Sequence, residues 1–469
     1  MVDAGATRIE CDTMGEMRLP ADALYGAQTQ RAVENFPISG QPLPPELIHA
    51  LGLVKLAAVR VNRDLGLLET EMAAAIEAAA RSVADGHYDD QFPIDVFQTG
   101  SGTSSNMNAN EVIATLATRA LGRTVHPNDQ VNLGQSSNDV IPTALHVAAV
   151  LAIESTLLPA MRHLQASLAA KADEFDDVVK IGRTHLMDAV PIRLGQELSG
   201  YARQIELAIG RVEATLPGLR ELAIGGTAVG TGLNTAAGFG AAVARELTAL
   251  TKTEFQEATN HFEAQGARDA YVFAAGALVT VASATMKIAN DVRLMASGPQ
   301  AGLGELVLPA IQPGSSIMPG KINPVICESV IQVGAQVIGN CQTIAIGGQW
   351  GQLDLNVMLP VLGRNLLESV RILGNACRVF VDKCLAETRA NVERCEGYIE
   401  GSISMATALN PLIGYDAAAA IAKKSHATGQ TVREIAYAES GLSREQVDDA
   451  LHPHRQTVAG AGAGQSAGG

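Results

Sequence analysis

The chain has 469 residues and a formal net charge of -15, and is 47% hydrophobic but only 4% aromatic. That length allows two or three domains around a large core. The acidic balance argues against nucleic acid or an anionic membrane as the main partner.

Residues 1–10 hold no cationic segment followed by an apolar run, so no signal peptide is expected. Residues 8–12 and 16–20 flank a turn at Gly15 and read as a short hairpin; little else reads as strand. From Pro45 the pattern turns helical: Leu47, Leu51, Val54, Ala58 and Val61 recur at three- and four-residue steps, and Gly66 follows as a stop. Three longer helical runs are predicted, over 143–174 with a kink at Pro159, over 268–295, and over 353–386 with a kink at Pro360. A run of about 28 helical residues spans about 42 Å, long for an ordinary globular helix. The longest apolar run, 271–286, falls short of the roughly 20 residues a membrane-spanning helix needs. It is apolar on most faces, which predicts a helix buried all round, inside a bundle and further covered by oligomerisation. The tail 459–469 is rich in Gly and Ala and is expected to be disordered.

The six cysteines form no C-x-x-C pair and no zinc-type grouping with histidine, which suits reduced thiols in a cytoplasmic protein. Cys327 is read as structural rather than nucleophilic.

Four segments share small hydroxyl and amide residues near expected helix starts: 100–108 (Gly-Ser-Gly-Thr-Ser-Ser-Asn-Met-Asn), 135–139 (Gln-Ser-Ser-Asn-Asp), 182–188 (Gly-Arg-Thr-His-Leu-Met-Asp) and 314–324 (Gly-Ser-Ser-Ile-Met-Pro-Gly-Lys-Ile-Asn-Pro). Helix N-termini present unpaired N–H groups and a positive dipole end, so they receive anions readily. Read singly, each segment is explained by capping, since Ser, Thr, Asn and Asp are the preferred caps. The last segment stands apart. Its glycines and prolines make it a loop, and it gathers hydroxyls, N–H groups, a cation and an amide, which suit a carboxylate that gains negative charge during reaction. In so acidic a chain a dianionic substrate needs a locally positive site, and Lys321, Arg183 and helix N-termini are the candidates.

Segments 101–108, 135–139 and 314–324 resemble the three motifs of the fumarase/aspartase superfamily, and the resemblance extends from the hairpin to about Val458. Within it, Gly-Arg-Thr-His-Leu-Met-Asp-Ala and Gly320 resemble the class II, iron-independent fumarases; aspartases usually carry Gln where His185 stands and Ala where Gly320 stands. Ile322 replaces the more usual Val, and Leu133-Gly134 departs from a common Lys or Met followed by Ser.

The resemblance implies an all-α fold of three domains with a central bundle of long helices: 1–138, 139–392 and 393–458. It implies a hydro-lyase of the tricarboxylic acid cycle that adds water in anti fashion, reversibly, to fumarate to give L-malate, without metal or organic cofactor, in a homotetramer whose active sites are shared between subunits. Ser315 is then the base that acts on carbon. Lys321 and Asn323 hold the carboxylate that becomes the aci-form. His185 handles the hydroxyl, and Glu328 sets the histidine's charge and tautomer. Ser101, Gly102, Thr103, Ser136, Ser137, Asn138, Thr184 and Ser316 grip the substrate. His126, Pro127, Asn128 and Asp129 resemble a second, non-catalytic dicarboxylate site, although Pro and Asn-Asp also simply favour a turn. Aspartate ammonia-lyase is the nearest rival, argininosuccinate and adenylosuccinate lyases are more distant, and a non-catalytic scaffold of the same fold is the alternative from another class.

Overall fold

The computed structural model describes residues 6–460, so most of the tail expected to be disordered lies outside the described residues. The fold is all-α. The labels used below are β1 (Thr7–Asp12), β2 (Gly15–Pro20), α1 (Pro45–Asp64), α2 (Thr103–Leu121), α3 (Ser137–Ala152), α4 (Leu158–Glu174), β3 (Val179–Thr184), β4 (Met187–Arg193), α5 (Asp269–Met295), α6 (Val325–Gly348) and α7 (Leu359–Lys383). Among the described residues every sheet is a two-stranded pairing.

The described residues divide into two compact units, each assembled from three stretches: 6–159, 209–282 and 333–375 form the first, and 160–208, 283–332 and 376–460 the second. In the first unit α1 buries Leu47, Leu51, Val54 and Ala58 to 1% exposure or less, as its periodicity predicts, and Gly66 follows the helix with φ +72°. In the second unit Val179 and Ile181 of β3 share a core with Ile399, Leu409, Ile421, Ile435 and Val447.

Several expectations are corrected. The first long run begins at Ser137, not 143, because a cap at Ser136 starts the helix and Pro142 is carried inside it. Its irregularity is a widened turn over Ile153–Leu157, just ahead of Pro159, whose ring excludes the ordinary hydrogen bond. Pro360 does not kink a helix; it is the second residue of α7, where a missing N–H costs nothing, and residues 351–356 before it form a small hairpin. α5 is 27 residues long and apolar enough to cross a membrane by composition, contrary to the shortfall expected of the run 271–286, but 56% of its most apolar window is buried inside the fold. Within the single chain, Phe273, Gly276, Thr280, Lys287 and Asn290 form an exposed stripe at helical spacing, the face that the expectation left to oligomerisation.

Candidate active site

In the first unit the two N-terminal motifs meet. Gly102 precedes α2 with φ +72°, and a Cβ there would stand 2.9 Å from the Ile141 side chain, so this turn requires glycine. The turn sets the Ser101 and Thr103 hydroxyls 2.7 Å apart, and Thr103 lies 2.7 Å from the Ser137 hydroxyl at the start of α3. Three hydroxyls joined by two bonds leave one O–H free to donate to an anion. Ser136 caps α3 by accepting from the Asn138 N–H, while its own N–H donates to Asp139 Oδ1 at 2.9 Å. The other Asp139 oxygen accepts from the Gly225 and Thr227 N–H groups, and Asn138 donates to the Ala228 carbonyl at 2.8 Å. Burial pushes the Asp139 carboxyl up to about 6, with these hydrogen bonds and Lys55 opposing it.

His126 belongs to the same unit. Its Nδ1 accepts from the Asn128 and Asp129 N–H groups at 3.2 and 3.1 Å, capping a turn over Pro127–Val131. An Nδ1 that accepts two N–H bonds carries no proton, so the 3.3 Å approach of Asp129 is not an ion pair in this tautomer. His126, Pro127 and Asn128 also line a cavity of about 700 Å³ with Arg8, Arg119 and Glu111.

In the second unit the third motif is a hairpin, not the helix start expected. β3 pairs with β4, Thr184 opposite Met187, and His185 and Leu186 form the two-residue turn at φ 57° and 60°. Two successive positive φ values are the geometry a tight hairpin demands, unusual without Asn or Gly, and they present an exposed imidazole. Arg183 does not serve as a free cation: it donates to Glu305 Oε1 at 2.7 Å, and the fully buried Glu305 also pairs with Lys180.

The fourth motif is a loop. Gly314 N–H donates to the Lys321 carbonyl at 2.7 Å, and Asn323 Nδ2 donates to the Gly314 carbonyl at 2.7 Å, closing it at its base. A Cβ on Gly314 would stand 2.5 Å from that Lys321 oxygen. Inside the loop the Ser315 hydroxyl oxygen accepts from the Ile317 and Met318 N–H groups at 3.2 and 3.0 Å. Ser316 and Lys321 are exposed. Glu328 lies in the first turn of α6, half-buried. Among the described residues no hydrogen bond or ion pair joins it to His185. A cavity of about 920 Å³ borders the loop, lined by Lys321, Asn323 and Leu186 and by apolar residues including Leu294, Pro299 and Leu306. Cys327 is buried, and its hydrogen bond with Cys384 and its burial push the thiol up, away from the thiolate a nucleophile needs. No group of three or more His, Cys, Asp or Glu suited to a metal converges among the described residues.

A family model described as lyase matches residues 15–339, and one described as Fumarase C C-terminus matches 405–457. The chain is 59% identical over 428 residues to a fumarate hydratase class II of Corynebacterium efficiens, covering 91% of this chain and 90% of that one. It is equally identical, over 433 residues, to a fumarate hydratase class II of Mycobacterium tuberculosis, covering 92% and 91%. The chain belongs to the class II fumarase family. A class II fumarase of Schistosoma mansoni superposes with a TM-score of 0.94 at 39% identity, covering 96% of this chain and 99% of that one.

Two marks that separate fumarases from aspartases now have geometry. His185 occupies the exposed hairpin turn, and Gly320 sits at φ +80° with nothing within 4 Å of a Cβ, so backbone conformation, not space, favours glycine there. The fumarase signature also has support that sequence reading missed. Lys55 lies on the α1 stripe and is fully buried, and its ammonium donates to Asn132 Oδ1 and Gln135 Oε1 at 2.9 and 3.0 Å. The available signal was a lysine one step from Val54 on an otherwise apolar face.

Proposed function

We propose that this enzyme, a lyase by family, catalyses the reversible anti addition of water to fumarate to give L-malate. The observation that carries this reading is the Ser315 hydroxyl oxygen receiving two backbone N–H bonds in the loop that holds Lys321 and Asn323. A serine hydroxyl is a weak base, and N–H groups aimed at its oxygen stabilise the alkoxide that makes it a strong one.

From the malate side, the Ser315 alkoxide removes a proton from the carbon next to one carboxylate. The electron pair moves onto that carboxylate, which becomes a doubly charged aci-form. Lys321 and the Asn323 amide receive the new charge, each such donor being worth about 3 kcal/mol in the transition state. The carbon–oxygen bond then breaks, and the hydroxide leaves with a proton delivered by His185, directly or through water. Glu328 fixes the histidine's charge and tautomer once the site is assembled. Ser101, Gly102, Thr103, Ser136, Ser137, Asn138, Thr184 and Ser316 hold the second carboxylate and the hydroxyl. Every step is assigned to side chains and backbone, without a cofactor.

Assembly as a homotetramer with shared active sites belongs to the same proposal. The exposed stripe on α5, with Phe273 among small residues, supports close helix packing between copies of the chain. A cytoplasmic location and a second anion site at His126–Asp129 are part of it as well. The test is an assay with chelator present, following L-malate conversion to fumarate beside an L-aspartate control. Malate turnover alone is expected. Ammonia release from aspartate would move the chain to the aspartases, and silence on both substrates would favour a scaffold.

A further inference from the structure

Lys55 is an unusual residue to find at the centre of the first unit. It is fully buried, and among the described residues it makes no ion pair. Its partners are neutral amide oxygens, and an ammonium taken out of water is costly, so burial pulls the Lys55 amine from 10.5 down to about 7, with Asp139 opposing. The bonds form a connected network, although the Oδ1 atoms of Asn62 and Asn106 in it are buried without a partner. Asn132 Oδ1 accepts from Lys55 and also from Asn106 on α2 at 3.2 Å. Asn132 Nδ2 donates to the Gln135 carbonyl at 3.1 Å, and Gln135 Nε2 donates to the Val131 and Leu133 carbonyls. Seven residues after Lys55 on the same helix face, Asn62 donates to the Leu133 carbonyl at 3.0 Å. Turn 131–135 is therefore stitched to α1 by two side chains, and it ends one residue before Ser136. On the far side, Asp139 bonds the Ser136 N–H at 2.9 Å and the Gly225 and Thr227 N–H groups. The segment Ser136-Ser137-Asn138 thus hangs between a buried lysine amine and a buried carboxyl group.

We infer that Lys55 is a positioning residue for the dicarboxylate grip: through Asn132 and Gln135 it fixes where Ser136, Ser137 and Asn138 stand. This rests on the proposal that these three residues bind a substrate carboxylate. The physical need is plain in a chain of net charge -15, where a dianion meets an unfavourable background. The mechanism also explains how Leu133-Gly134 is accommodated: the turn is held through the Leu133 backbone carbonyl, so the side chain at that position is free to vary.

The test compares wild type with Lys55→Met, Gln135→Leu and the double variant, by malate kinetics and by calorimetric binding of succinate, the saturated analogue that cannot react. Loss of both Lys55 hydrogen bonds predicts a KM about tenfold higher in Lys55→Met, with kcat little changed and succinate affinity falling in parallel. Gln135→Leu reads the same contact without deleting the buried amine, so it decides the matter if Lys55→Met does not fold. The double variant should lose less than the sum of the two, because the Lys55–Gln135 bond is broken in both single variants. Unchanged KM and succinate affinity with only a lower melting temperature would overturn the inference, as would a fall in kcat at constant KM. If wild type binds succinate but does not turn over malate, the hydration reading fails; a parallel loss of succinate affinity in the variants still supports the role of Lys55.

Discussion

The two halves of the proposed machinery are built in opposite ways. In the first unit, the segment around Ser136 is capped, hydrogen-bonded at each end and backed by the buried Lys55 and Asp139. In the second, His185 and Lys321 stand exposed on a hairpin turn and a loop, with positive φ at His185, Leu186 and Gly320. The contrast teaches a division of labour. Groups that recognise a rigid, charged substrate can be fixed in advance on helix starts. The groups proposed to act on carbon and release water are carried on an exposed turn and loop.

The sharpest break of that comparison is Ser315→Ala. Removal of a general base is expected to cost about 10²–10⁴-fold in turnover, with folding and succinate binding retained. Near-normal activity in that variant would remove Ser315 from the chemistry.

Acid should strike the rigid half. His146 lies on α3, the helix that begins beside Ser136, and its Nδ1 bonds the Glu221 carbonyl at 2.7 Å. Burial, with Arg268 nearby, pushes this imidazole from its ordinary 6.5 down to about 3. As pH falls through 6.5, the unfolded chain takes up a proton that the folded chain refuses, so stability drops with falling pH until about 3. Urea unfolding at pH 7 and pH 5 should show wild type losing about 2 kcal/mol more than His146→Gln, which does not titrate. Equal losses in both proteins would mean that His146 is not held neutral.

The exposed half should show the converse, with function sensitive and stability not. In Gly320→Ala the added Cβ meets nothing within 4 Å, and only the φ of +80° resists it. An L-residue in that region costs roughly 1–2 kcal/mol, a strain the exposed loop relieves by shifting away from this conformation, so turnover should fall roughly tenfold while the melting temperature changes little. A lower melting temperature with unaltered turnover would show that the loop belongs to the rigid part of the fold.

Much of this was legible in the linear chain. The apolar stripe from Leu47 to Val61 gave α1 because helical periodicity is a local property, and the cap at Ser136 and the glycines of the 314–324 loop mark their conformations by residue type. Motif chemistry named the proposed site residues for the same reason. What only the tertiary structure decided was non-local. β3 and β4 escaped notice because their hairpin has no Asn-Gly turn and is stabilised by packing against Ile399 and Leu409 in the second unit. Pro360 became the start of a helix and not a kink, a choice that residue type leaves open. The buried charges were the hardest to foresee. Whether a lysine on a helix stripe faces water or amide oxygens depends on residues 77 and 80 positions away, Asn132 and Gln135, and only folding brings them to Lys55.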